Sequence, residues 1–133
     1  METNNLNKTI LIVDDDSDYL LQMEMLIEKF GFNVITANSQ KEGESVIENL
    51  KPDLAIFDLM MENLDSGFIL SYKFKKIHPD VPVMIATAVT AETGMLFSLD
   101  SEEERSWIKA DKYIEKGIRP DQLHREINKI LKI

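Results

Sequence analysis

Three acidic residues in a row, Asp14-Asp15-Asp16, a fourth at Asp58, a hydroxyl at Thr87 and an ammonium at Lys116 are the side chains in this sequence best suited to chemistry. Each stands where an apolar run stops. Thr9-Ile10-Leu11-Ile12-Val13 ends at Asp14, Leu54-Ala55-Ile56-Phe57 ends at Asp58, and Val81–Ala86 is followed by Thr87. Lys112-Tyr113-Ile114 precedes Lys116 by one residue. A carboxylate at the end of a buried strand is not there for packing, because it costs free energy unless paired. Several carboxylates at one rim repel each other unless a positive group is present. A hard divalent cation answers this, since Mg²⁺ prefers carboxylate and carbonyl oxygen. With Lys116 and Thr87 alongside, an anion site lies beside a cation site, and a carboxylate between them can act as a nucleophile.

The elements that must position these groups follow from periodicity. The apolar runs, without polar alternation, suit strands covered on both faces. Strands are expected at Thr9–Val13, Asn33–Ala37, Leu54–Phe57, Val81–Ala86 and Lys112–Ile114. Between them, Leu20, Met23, Ile27 and Phe30 have helical spacing, stopped by Gly31. Ser39-Gln40-Lys41-Glu42 is a capping-box sequence opening a helix with Val46, Ile47 and Leu50 inward. Gly67 opens a helix to Ile77, with Phe68, Ile69, Tyr72 and Ile77 as its contacts, and His78-Pro79 closes it. A helix around Glu102–Lys109 and a closing one at Pro120–Leu131 complete the count. Five alternating units predict an α/β fold: a flavodoxin-like, doubly wound, five-stranded parallel sheet of order 2-1-3-4-5 with five helices. In that order the first and third strands are neighbours, so the Asp14–Asp16 cluster and Asp58 meet at one crevice.

The chain has 133 residues, enough for one domain with its own core. Residues 1–8 read as a flexible lead-in and 9–133 as the domain. Because that domain fills the chain, a stand-alone, single-domain protein is expected. The balance of 24 acidic to 15 basic residues, net −9, argues against nucleic-acid binding, which needs a basic footprint. Cysteine is absent, the lead-in has no apolar core, and no apolar run has membrane-spanning length. These features predict a cytoplasmic protein without disulfides or membrane contact.

The motifs Ile-Leu-Ile-Val-Asp-Asp-Asp, Leu-Ala-Ile-Phe-Asp-Leu-Met-Met, Met-Ile-Ala-Thr-Ala and Tyr-Ile-Glu-Lys, in that order, resemble the receiver domains of two-component response regulators. The resemblance runs from Lys8 to the C-terminus. It implies that Asp58 is the phosphoacceptor, Asp14 and Asp15 the acidic pair, Thr87 the switch hydroxyl, Tyr113 the switch aromatic and Lys116 the lysine. It implies Mg²⁺ held by Asp15, Asp58 and the Met60 backbone carbonyl, with Asp14 acting mostly through water. A sensor histidine kinase or histidine phosphotransfer protein would donate the phosphoryl group. A downstream protein would read the face made by the fourth helix, fifth strand and fifth helix, with the domain a monomer or a phosphorylation-dependent dimer. Such a protein is not a turnover enzyme.

The sequence departs from that pattern at several points. Gly117 stands where the family has proline after the lysine, and Glu62 replaces the proline of the loop after the phosphoacceptor. Ser66 is an extra residue before Gly67, and the segment between Thr87 and Lys116 is longer. In that segment Arg105, Trp107 and Lys109 are candidates for a partner surface, with the core-anchor reading preferred for Trp107. Met60 and Val89, each two residues beyond a site residue, are apolar and predict slow hydrolysis of a phospho-form. Two alternatives stand beside this reading. One is a pseudo-receiver, an interaction module independent of phosphorylation. The other is a haloacid-dehalogenase-type phosphatase using Asp14 as nucleophile and Asp16 as acid. An EF-hand reading of Asp14, Asp16 and Asp18 fails at Tyr19 and Met25. His78 and His124 have no ligand-spaced neighbours and are read as solvated.

Overall fold

The computed structural model describes residues 8–59, 61, 66–87 and 110–133. Five parallel strands, β1 (Thr9–Val13), β2 (Asn33–Ala37), β3 (Leu54–Asp58), β4 (Val83–Thr87) and β5 (Lys112–Glu115), form one sheet of order β2-β1-β3-β4-β5. The described helices are α1 (Ser17–Lys29), α2 (Gln40–Asn49), α3 (Ser66–Ile77) and α4 (Pro120–Leu131). The helix expected near Glu102–Lys109, with Arg105, Trp107 and Lys109, falls outside the described residues.

Strand side chains alternate between two cores, as the two-residue period requires. Leu11, Val13, Ala55, Phe57, Val83 and Ile85 face α2 and α3, where Ile47, Leu70 and Phe74 meet them. Ile10, Ile12, Leu54, Ile56, Met84 and Ile114 face α1 and α4, where Leu20, Met23, Ile27, Leu123 and Ile127 meet them. The central strands are buried on both faces, which is why they read as unbroken apolar runs.

Local signals fix the element ends. Asp16 caps α1, its carboxylate accepting from Asp18 N and Tyr19 N. Gly31, at φ 102°, turns the chain out of that helix. Ser39 Oγ accepts from Glu42 N at 3.0 Å, and Glu42 reaches back to Asn38 N. Two aspartates clasp strand entries in the same way. Asp53 exchanges hydrogen bonds with Thr9, its carboxylate accepting from Thr9 N at 2.8 Å, and Asp111 does likewise with Val83.

The structure corrects four readings. β4 starts at Val83 and runs through Thr87, because Pro82 has no N–H to give the ladder and offers only its carbonyl, to Ala55 N. In α3 the buried face is Ser66, Gly67, Phe68, Leu70, Ser71 and Phe74, whereas Tyr72 and Ile77 are exposed and Ile69 is half-buried. The close seating of Gly67 on β3 sets that rotation. In α2 Ile47 is buried and Val46, half-buried, packs on the same core as expected, whereas Leu50 is only half-buried and Gly43 is the second buried position. The two histidines are not simply solvated. His78 Nε2 lies 2.9 Å from the Ile47 carbonyl, and the His124 ring stacks on Phe30 at 4.0 Å with its Nε2 buried.

Candidate functional site

The carboxyl ends of β1, β3, β4 and β5 converge on one rim. Asp14 leaves β1 with its N–H bonded to the Ala37 carbonyl, and it is 1% exposed. Asp58 is the last residue of β3, paired in register with Ala86, and is 5% exposed. Asp15 stands between them at the open edge. Carboxylate oxygens of Asp14, Asp15 and Asp58 all lie within 4.8 Å of one another. The expected meeting of the first and third strands is therefore observed, but Asp16 takes no part in it. Its carboxylate is occupied with the start of α1, the role an acidic helix N-terminus favours.

Lys116 comes to this rim from the turn after β5. Its backbone N–H donates to the Thr87 carbonyl at 2.7 Å, and Ile118 N closes the turn on Glu115 O at 3.0 Å. Its ammonium lies 2.7 Å from Asp14 Oδ2 and 3.1 Å from Asp58 Oδ1. Asp14 Oδ2 is buried and has the ammonium as its charged neighbour, while Asp14 Oδ1 accepts from Asp16 N. Gly117 does not spoil this reach. The described residues hold no cis peptide bond, and Gly117 does not adopt positive φ.

The electrostatics are those of an under-neutralised anion cluster. Burial first, and then the charge of Asp14, push the Asp58 carboxyl up to about 7, with Lys116 pulling the other way and Asp15 adding repulsion. Burial by itself would lower the Lys116 ammonium, but the hydrogen bond and charge of Asp14, with those of Asp58, outweigh it and raise it. Among the described residues, the three clustered carboxylates thus have one firmly charged ammonium beside them, paired with Asp14 and Asp58. This donor set, all oxygen and short of one positive partner, fits a hard divalent cation such as Mg²⁺.

The other predicted residues stand at varying distance from this centre. Thr87 is buried at the end of β4, and its hydroxyl donates a long 3.5 Å bond to the Ile114 carbonyl of β5. Tyr113, opposite Ile85 in β5, is 36% exposed. Met60 and Val89 lie outside the described residues, as does Glu62.

Sequence reasoning missed Tyr19, whose ring carries the Lys116 ammonium 4.6 Å from its centroid. Burial, and then the charges of Asp14 and Asp58, raise its phenol so that it stays protonated. The available signal was position: an aromatic four residues past Asp15 sits one helical turn above the acidic rim. It missed Gly67 as well, beyond its helix-opening place. Its N–H donates to the Leu59 carbonyl at 2.8 Å, tying the first turn of α3 to the exit of β3.

The sequence profile of the family described as response regulator receiver domain matches residues 10–128. The alkaline phosphatase synthesis transcriptional regulatory protein PhoP of Bacillus subtilis is 28% identical over 127 residues, covering 96% of this chain and 50% of its own length. The chain spans about half the length of the curated relatives it matches. A CheY-like response regulator receiver domain protein from Methanospirillum hungatei superposes with a TM-score of 0.78 at 31% identity, covering 94% of each chain. The response regulator TrrA of Thermotoga maritima, crystallised with Mg²⁺ and BeF, shares the fold at a TM-score of 0.77 and 24% identity, covering 92% of this chain and 98% of its own. A sheet in this order, with this acidic rim and a profile match over nearly its whole length, places the chain in the response regulator receiver domain family of two-component systems.

Proposed function

We propose that this chain accepts a phosphoryl group on Asp58 from a phosphohistidine of a sensor histidine kinase or histidine phosphotransfer protein, and signals through a protein partner. The observation that carries the reading is the bridge from the Lys116 ammonium to Asp14 and Asp58 at a buried rim. An Asp58 carboxylate oxygen attacks phosphorus in line, the P–N bond to the donor imidazole breaks, and the freed nitrogen takes a proton from solvent. Lys116 turns from the carboxylates to the phosphoryl oxygens, so positioning and electrostatics do most of the work. Asp14, Asp15 and Asp58, with the Met60 carbonyl, would hold Mg²⁺, whose charge offsets that of the arriving phosphoryl oxygens.

Thr87 and Tyr113 form the switch in this reading. The Thr87 hydroxyl has, among the described residues, a long 3.5 Å bond to give up, and Tyr113 is partly exposed on the neighbouring strand. Their movement would bias a two-state equilibrium on the surface that includes β5 and α4. The domain acts without nucleic-acid contact of its own, as a monomer or a phosphorylation-dependent dimer. No described helix is long and apolar enough to cross a membrane. Incubation with acetyl phosphate and Mg²⁺ followed by intact-mass measurement tests the proposal. Wild type should gain the mass of one phosphoryl group and Asp58→Ala should gain none. A wild-type protein that gains none from any donor would end it.

A further inference from the structure

The Lys116 ammonium is held from three directions, and two of its holders among the described residues are carboxylates. Asp14 and Asp58 take it at 2.7 and 3.1 Å, while the ring face of Tyr19 lies 4.6 Å below it. That distance is within the range of about 6 Å over which a ring quadrupole attracts a cation.

The ring is itself fixed. Tyr19 sits in the first turn of α1, its N–H donating at 3.2 Å to the capping carboxylate of Asp16, and its ring packs on the core shared with α4. Its phenol oxygen is buried and has no hydrogen-bond partner among the described residues. Leaving such a group unpaired costs free energy that a leucine would not incur, so tyrosine here needs an offsetting contribution. The cation over its face supplies one.

The other side of Lys116 offers little support. A Cβ on Gly117 would meet nothing within 4 Å, so the residue after the lysine lies open, and the turn's hydrogen bonds, Lys116 N to Thr87 O and Ile118 N to Glu115 O, hold the backbone but not the side-chain arm. A four-carbon arm on such a turn carries large rotamer freedom, and something outside the turn must restrict it. The carboxylates cannot do so throughout the reaction, since the ammonium must exchange them for phosphoryl oxygens. The ring face competes for none of those oxygens.

We propose that Tyr19 is a positioning residue, whose ring holds the Lys116 ammonium in place while the ammonium changes anionic partners. The proposal rests on the phosphoryl-acceptor reading of Asp58 for its purpose, but not for its geometry.

The test compares Tyr19→Phe and Tyr19→Leu in the full chain, with Tyr19→Met as a second ringless variant and thermal melts to verify folding. The first readout needs no phosphodonor: the ¹H–¹⁵N NMR signal of the Lys116 ammonium. Wild type and Tyr19→Phe should show a resolved, slowly exchanging ammonium, and the ringless variants a solvent-averaged one. The second is phosphoryl uptake from acetyl phosphate with Mg²⁺. Uptake at saturating donor should fall about tenfold without the ring and stay within about twofold in Tyr19→Phe. The half-saturating donor concentration should not move. Ringless variants equal to wild type in both readouts would overturn the proposal. So would a Tyr19→Phe as impaired as Tyr19→Leu, since the hydroxyl rather than the ring would then be responsible. If wild type takes up no phosphoryl group, the function reading falls, while the ammonium signal still decides the ring contact.

Discussion

A Cβ on Gly67 would stand 2.5 Å from the Asp58 carbonyl oxygen and 2.8 Å from Leu59 Cα, so the first turn of α3 rests directly on the backbone of the candidate phosphoacceptor. Any side chain at Gly67 pushes α3 off the end of β3. Gly67→Ala should cost about 1–3 kcal/mol, the usual range for overpacking, and slow phosphoryl uptake by shifting Asp58. Gly117→Ala, in open space and without positive φ, should leave urea stability equal or higher by a few tenths of about 1 kcal/mol. Equal urea midpoints for Gly67→Ala and wild type would contradict this packing.

The Asp58 carboxyl is pushed up to about 7, against 3.8 ordinarily, by burial and then by Asp14. A raised carboxyl favours the folded state while protonated, so its contribution is complete below about pH 4 and is lost as pH rises through about 7. Metal-free wild type should therefore lose stability between pH 5 and pH 8. Asp58→Asn should flatten that slope and be the more stable protein at pH 8, by about 1–2 kcal/mol after solvent screening at the rim. Denaturant midpoints across that range measure it.

Lys116→Met removes the one ammonium touching both Asp14 and Asp58. Stability in metal-free buffer should drop by about 2 kcal/mol at pH 8, and by less at pH 5, where Asp58 has taken up a proton. Phosphoryl uptake should fall about 10²-fold, the scale for removing one preorganised charge partner. A variant that keeps the wild-type rate would exclude Lys116 from the chemistry.

Mg²⁺ should raise the melting temperature, stabilising the fold by an amount that grows with the logarithm of its concentration, about 2.7 kcal/mol at a hundred times the dissociation constant. Chelation should reverse the gain. Asp15→Asn should weaken it even though Asp15 is exposed, because Asp15 belongs to the three-carboxylate cluster. A melting temperature indifferent to Mg²⁺ would count against the metal assignment.

Met60 and Val89, apolar and each two residues beyond a site residue in the sequence, predict a phospho-form that persists for minutes or longer in purified protein with Mg²⁺. Met60→Glu or Val89→Gln should shorten its life. A wild-type lifetime of seconds would contradict the expectation, as followed by loss of the phosphoryl mass over time.

The sheet and the set of charged groups at its edge were legible in the order of residues alone. Two-sided burial forces unbroken apolar runs, so β1 and β3 announce themselves, and a charge that ends such a run must lie at the rim. Chain order then put Asp14, Asp58, Thr87 and Lys116 at the same edge. What it did not determine was how each helix is turned about its axis, because several rotations satisfy a mostly apolar stretch equally well. Tertiary contact decided that: Gly67 against Asp58 turned Phe74 inward and Tyr72 out. It also divided three identical neighbours into three roles, with Asp14 buried beside Lys116, Asp15 at the open edge and Asp16 spent on capping α1. The Tyr19 ring beneath the ammonium is of the same kind. A contact across the ends of two elements nearly a hundred residues apart depends on distances that no spacing along the chain encodes.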